Sequence, residues 1–145
     1  MKTLMFEVTI NASPEAVWKA TIGPETYKEW TAAFCEGSYF TGSWDEGARI
    51  QFLSPGGDGM VSVIAEHKPA EYVSIKHIGV IEKGVEDTSS EKVRSWTPAY
   101  ENYRFTAVPG GTRFVVTVDT VPEYEQFMQD TFPKALALLK GICEK

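Results

Sequence analysis

"AVPGGTRFVVTV", Ala107–Val118, is followed almost at once by "VPEYEQFMQDTFPKALALLKGICEK", Val121–Lys145, and the reading of this pair decides the fold. Pro109-Gly110-Gly111 is a turn signal. The residues after it alternate, with Phe114, Val116 and Val118 on one face of a strand. The second stretch changes period. Met128, Phe132, Leu136, Leu139 and Cys143 recur at three- to four-residue spacing, which predicts a long amphipathic helix. Phe127, Leu138 and Ile142 are expected to widen its apolar stripe. Pro133 interrupts the helix, costs it a hydrogen bond and should kink it near Gln129. One strand and one long aromatic-rich helix at the end of a small chain either fill a core or roof a cavity.

Working outward, "LMFEVTI" places Leu4, Phe6, Val8 and Ile10 on one face of a first strand. "NASPEAVWKA" then supplies helix-start chemistry: Ser13 as N-cap, Pro14 in the first turn and Glu15 near the positive helix end. Gly23-Pro24 breaks that helix and starts a second short one ending at Trp30. Trp18 is expected to pack into the core against the sheet. From Glu36 onward the chain reads as about six strands joined by turn-sized links, hence antiparallel. Lys83–Ser95 is polar and longer than a hairpin needs, which predicts a mobile flap or a partly helical loop. The expected class is α+β: a curved antiparallel sheet of about seven strands, two short helices after the first strand, and a long C-terminal helix. Its apolar sheet face needs a cover, and one long helix is there to provide it.

Composition bounds the rest. The chain has 145 residues, 43% of them hydrophobic, 12% aromatic and 23% charged, with a formal net charge of −6. That length suits one domain, residues 1–145, with a core that needs no disulfide staples. The acidic balance and scattered Lys/Arg residues argue against a nucleic-acid partner and a basic membrane-binding patch. No apolar run reaches membrane-spanning length, and the N-terminus alternates where a signal peptide would be continuously apolar, so no membrane anchor is expected. Cys35 and Cys143 read as free thiols of a reducing compartment, consistent with the cytoplasm. No cofactor is expected. The two histidines form no metal-ligand pair, and the glycine-rich turns lack the lysine and the strand-to-helix context of a phosphate loop.

Four strings, "INASPEAVWKATIGPETYKEW", "EHKPAEYVSIKH", "GGTRFVVTV" and "FPKALALLK", occur in an order that resembles the START-like or SRPBCC superfamily, the helix-grip fold. Within it the chain looks most similar to the family related to the activator of heat-shock protein 90 ATPase. The resemblance implies a cavity between sheet and C-terminal helix. It also implies one of several functions, because members bind lipids, sterols, polyketides or hormones, and some are cyclases or dehydratases. Two departures fall on the expected cavity wall: Phe132 where the family often carries tryptophan, and His77 where it often carries an aromatic.

The candidate ligand-binding residues follow from parity, helical spacing and the resemblance. Phe52, Ile75, His77, Tyr103 and Phe105 share the apolar sheet face, and Met128 and Phe132 face them from the helix. The short helices and loops of a helix-grip protein lie at the cavity mouth, which adds Trp30, Phe34 and Trp96 with Tyr100. A cavity on the order of 300–1,000 Å³ is expected. His77 is the candidate for a polar ligand contact or for acid–base work. Glu101 shares parity with Tyr103 and Phe105 and should sit near the mouth. His67, at a strand end, is expected at the surface. The leading function is therefore binding of a small hydrophobic or amphipathic molecule, lipid-like or aromatic. The alternatives are a cyclase- or hydrolase-like enzyme using His77 on an aromatic substrate, and an interaction module for a chaperone partner.

Overall fold

The computed structural model describes residues 1–145. β1 (Lys2–Ile10) leads into α1 (Pro14–Ile22) and α2 (Pro24–Thr31). A run of strands follows: β2 (Tyr39–Gly42), β3 (Arg49–Leu53), β4 (Gly59–Lys68), β5 (Tyr72–Glu82) and β6 (Val85–Asp87). A short helix, α3 (Glu91–Arg94), precedes β7 (Ala99–Val108), β8 (Gly111–Thr120) and the long α4 (Pro122–Cys143). All pairings are antiparallel, in the order β1-β8-β7-β5-β4-β3-β2, with β6 attached to β5. The sheet has eight strands, one more than expected, and α4 lies across its concave face. This is the helix-grip architecture.

The local chemistry works as the residues suggest. The Ser13 hydroxyl caps α1 by accepting from the Ala16 amide at 3.2 Å, and prolines open α1, α2 and α4. In the β7–β8 turn Gly110 and Gly111 take positive φ of 92° and 138°. A β-carbon at Gly111 would meet the Ile10 carbonyl oxygen at 2.0 Å, so this glycine lets β1 close against the turn.

The core is one cluster shared by sheet and helices. Ile10, Phe114, Ile50 and Ile64 are fully buried from the sheet side, Val17 from α1, and Ala135 and Leu139 from α4. Phe132 of α4 stacks on Phe6 of β1, with ring centroids 4.8 Å apart. The buried stripe of α4 is narrower than its sequence suggests: Thr131, Phe132, Ala135, Leu136 and Leu139. Phe127 and Leu138 do not widen it; they remain 45% and 44% exposed on the helix flanks. Pro133 lies on the exposed side, where a missing amide bond is least costly.

Of the two expectations for Lys83–Ser95, the partly helical loop is the nearer: the segment carries β6 and the short α3. Lys83 and Gly84 both take positive φ, 49° and 82°, and form a tight turn that folds β6 back on β5. Glu86 then accepts from Arg49 at 3.0 Å and Gln51 at 2.7 Å, pinning β6 toward β3. Ser90 caps α3, and Val93 is buried beneath it.

Candidate functional site

A cavity of about 200 Å³ lies between the sheet, α2 and α4. From α2 and the segment after it come Tyr27, Trp30, Thr31, Phe34 and Ser38; from the sheet come Phe52, Met60, Ile75, His77, Glu101 and Tyr103; from α4 come Met128 and Phe132. It is smaller than expected, because large rings occupy the space. Phe34 packs edge-on to Phe132 at 4.8 Å, and Trp30 sits 6.2 Å from Tyr103. Trp30 and Phe132 are 1% and 2% exposed, so they form the wall as part of the core.

Of the eleven residues named from sequence, eight line this cavity: Trp30, Phe34, Phe52, Ile75, His77, Tyr103, Met128 and Phe132; Tyr100, on β7, does not. Phe105 lies beyond it, stacked on Phe114 at 5.0 Å in the dry core, because strand parity fixes the face but not the depth along the strand. Trp96 follows α3, away from the wall. Tyr27, Thr31, Ser38 and Met60 were missed. Tyr27 lies one turn before both Trp30 and Thr31 on α2, a signal that helical spacing could have supplied.

Alternation on β5 turns Val73, Ile75 and His77 inward. A one-residue irregularity at Ile78 then pairs His77 across the strands with Ser62. On the other side Ile75 pairs with Glu101, which makes Glu101 the diagonal neighbour of His77. The result is a connected polar chain within an apolar wall. Ser62 Oγ lies 2.7 Å from His77 Nδ1, His77 Nε2 lies 3.2 Å from Glu101 Oε1, and the Tyr103 hydroxyl donates to Glu101 Oε2 at 2.5 Å.

Directions can be assigned. Ser62 is fully buried, and its hydroxyl satisfies itself by donating to Nδ1, leaving Nε2–H to donate to Glu101. Glu101 thus accepts from two side chains while remaining part of the cavity wall. Its charge acts on its neighbours. Burial first, and Glu101 second, push the phenols of Tyr103 and Tyr27 well above the usual tyrosine range. The trio Ser62–His77–Glu101 resembles a hydrolase triad in residue types alone. Its serine lies behind the wall and its carboxylate in front, the reverse of what a nucleophile needs.

His67 is half-buried and engaged, not free at the surface. It accepts from Trp18 Nε1 at 3.0 Å through Nε2, and its Nδ1 lies 2.7 Å from the Trp44 carbonyl, bracing α1 against the sheet. Trp18 accordingly packs on His67 and is only partly buried. No group of three or more His, Cys, Asp or Glu side chains converges where a metal ion could sit. No helix is long and apolar enough to cross a membrane.

Fold and cavity together define a START-like, SRPBCC-type protein, in which a curved sheet grips a C-terminal helix around an internal space. The chain belongs to the family described as Activator of Hsp90 ATPase homolog 1-like protein, which matches residues 11–144. Solved structures agree in fold. The Aha1 dimer from Colwellia psychrerythraea is 22% identical with a TM-score of 0.72, over 99% of this chain and 97% of that one. Protein MLL2253 from Mesorhizobium loti is 15% identical with a TM-score of 0.73, over 97% and 96%. CalU16 from Micromonospora echinospora is 16% identical with a TM-score of 0.67, over 99% of this chain and 76% of that one. No curated protein matches the sequence.

Proposed function

We propose that residues 1–145 act as a single cytoplasmic domain that binds one small hydrophobic or amphipathic molecule between the sheet and α4. One observation carries this reading: a cavity of about 200 Å³ with nine hydrophobic lining residues and a charged carboxylate among its few polar ones. Apolar burial supplies affinity in such a space, and a few polar groups fix orientation. The volume suits a molecule built on one ring rather than a long-chain lipid.

The test is direct binding of small aromatic probes, read by calorimetry. Met128 is half-buried and lines the cavity from α4, so Met128→Trp fills the space with little disturbance to the core. Probes should bind the native protein and lose affinity for the filled variant. Binding that ignores Met128→Trp would remove the cavity from the account.

An enzymatic reading uses the same wall. Both ring nitrogens of His77 are engaged, so acid–base chemistry on a bound molecule would fall to Glu101, with His77 as a positioning residue. Turnover of an aromatic substrate that disappears in Glu101→Gln while binding persists would establish it. A chaperone partner is favoured by the family description and by Tyr124 and Phe127, which are 58% and 45% exposed on α4. Failure of Tyr124→Ser/Phe127→Ser to weaken binding to a purified heat-shock protein 90 would dismiss that surface.

A further inference from the structure

The polar atoms of the cavity wall share one property: nearly all their hydrogens are already used. The Thr31 hydroxyl donates to the Tyr27 carbonyl at 2.6 Å, and the Ser38 hydroxyl donates to the Cys35 carbonyl at 2.6 Å. Trp30 Nε1 donates to the Thr21 carbonyl, Tyr103 to Glu101, and His77 Nε2–H to Glu101. The Tyr27 hydroxyl is the one uncommitted side-chain donor. What the wall offers a guest is therefore acceptors, above all the remaining lone pairs of the Glu101 carboxylate, which can hold about four hydrogen bonds and uses two.

Charge points the same way. No lysine or arginine lines the cavity. An open groove adjoins it, sharing Tyr27, Ser38 and Phe52, and that groove is lined by Asp58 with no basic residue. Groove and cavity thus share two aromatic walls, Tyr27 and Phe52, and each carries one carboxylate, Asp58 or Glu101, with no basic residue beside it. Ring faces attract cations and a desolvated carboxylate binds them, whereas an anionic guest would meet repulsion and find few donors.

We infer that the cavity selects a small organic amine: an aromatic or apolar body seated among Trp30, Phe52 and Phe132, with its ammonium group donating to Glu101. This rests on the ligand-binding reading above and narrows it to a substrate class. It excludes fatty acids and other carboxylates as the preferred guests.

The experiment uses three probes with the same phenyl-alkyl body and different heads: 2-phenylethylamine, 2-phenylethanol and 3-phenylpropionate. Each is titrated into the full chain by calorimetry. The amine should bind about tenfold or more tighter than the alcohol, and the carboxylate most weakly of the three. In Glu101→Gln, checked for fold by near-ultraviolet circular dichroism, the amine should fall to the level of the alcohol. The ranking in the native protein decides the matter even if that variant does not fold. Equal binding of amine and carboxylate, or an amine preference that survives Glu101→Gln, overturns the inference. If the alcohol binds and the amine gains nothing, the cavity still binds ligands and the amine assignment alone fails. If none of the three binds, and Met128→Trp changes nothing, the ligand-binding reading fails with it.

Discussion

His77 Nε2 lies 3.2 Å from Glu101 Oε1, and this contact joins residues 24 positions apart in the sequence, on β5 and β7. His77 is 8% exposed in its side chain and Glu101 19%, so the pair is neither a surface salt bridge nor a sealed one. Its stability depends on the groups behind it. Ser62, fully buried, has His77 as its hydrogen-bond partner.

Ser62→Ala should cost about 1 kcal/mol, the ordinary worth of one buried hydrogen bond. His77→Phe should cost more, about 2–3 kcal/mol, because it strands the Ser62 hydroxyl and removes a donor from Glu101. The double variant should be less damaging than the sum, since Ser62→Ala removes the stranded hydroxyl. Denaturant midpoints of the four proteins measure this. Strict additivity would show that the Ser62–His77 contact contributes nothing.

Much of this site was legible in the sequence, and the reasons for the rest are physical. Alternation on β5 and β7 suffices to place Ile75, His77, Glu101 and Tyr103 on one face, because the period of a strand is local. The partnership of His77 with Ser62 is not local. It depends on an irregularity at Ile78 that shifts the register by one; Gly79 in "KHIGVI" hints at a bulge, but not at which residue His77 then meets. The β5–β6 turn was hidden similarly, because its first residue is Lys83 at positive φ, a conformation read from glycine or asparagine and rarely from lysine. Phe127 and Leu138 misled because helical spacing gives a stripe without its width. Where it ends depends on how far the sheet curves around α4.

The narrowness of that stripe can be tested with two leucines on one helix. Leu136 is 3% exposed and Leu138 is 44% exposed. Leu136→Asp should destabilise by about 4 kcal/mol or more, since it removes buried apolar surface and adds an unpaired charge. Leu138→Asp should stay within about 1 kcal/mol, as surface substitutions do. Thermal unfolding of the two variants reads the difference, and similar melting temperatures would mean that α4 is rotated from its described position.

The β7–β8 turn gives a second contrast. Gly111 combines φ of 138° with an imminent clash against the Ile10 carbonyl oxygen. Gly84 also has positive φ, 82°, but a β-carbon there would meet open space. Gly111→Ala should therefore cost about 3 kcal/mol or more, from strain plus displacement of β1, and Gly84→Ala only about 1 kcal/mol from strain. Equal costs by chemical denaturation would show that β1 does not depend on this close approach.

The buried phenols predict alkaline behaviour. The protein has six tyrosines, of which Tyr27 and Tyr103 are raised, chiefly by burial and secondarily by Glu101. A raised phenol keeps its proton in the fold while the unfolded chain releases it near pH ~10. Stability is accordingly intact below that pH and falls as pH rises above it, because the unfolded state then binds fewer protons than the native one. Phenolate absorbance should show two tyrosines that ionise only together with unfolding. Six phenols titrating reversibly, with native circular dichroism retained, would contradict the burial of both rings.

The last prediction separates cavity wall from core. Phe132 and Met128 both line the cavity, one helical turn apart on α4. Phe132 is 2% exposed and is held between Phe6 and Phe34, with ring centroids 4.8 Å away on each side. Met128 is only half-buried, and its side chain closes the cavity without anchoring the helix. Both truncations to alanine enlarge the same space, but at different cost. Phe132→Ala should lose about 3–5 kcal/mol, the range for a buried aromatic whose neighbours cannot collapse into the gap. Met128→Ala should lose less, about 1–2 kcal/mol, because Met128 is less deeply buried than Phe132 and forfeits less contact. Met128→Ala should then accept a bulkier probe, such as a naphthyl analogue of a phenyl ligand, that the native cavity excludes. Calorimetric binding of both probes to native and Met128→Ala protein, beside their melting temperatures, measures the two effects together. A Met128→Ala protein as unstable as Phe132→Ala, or one that still refuses the larger ring, would mean that α4 seals a core at this point and that the space beneath it is not open to a guest.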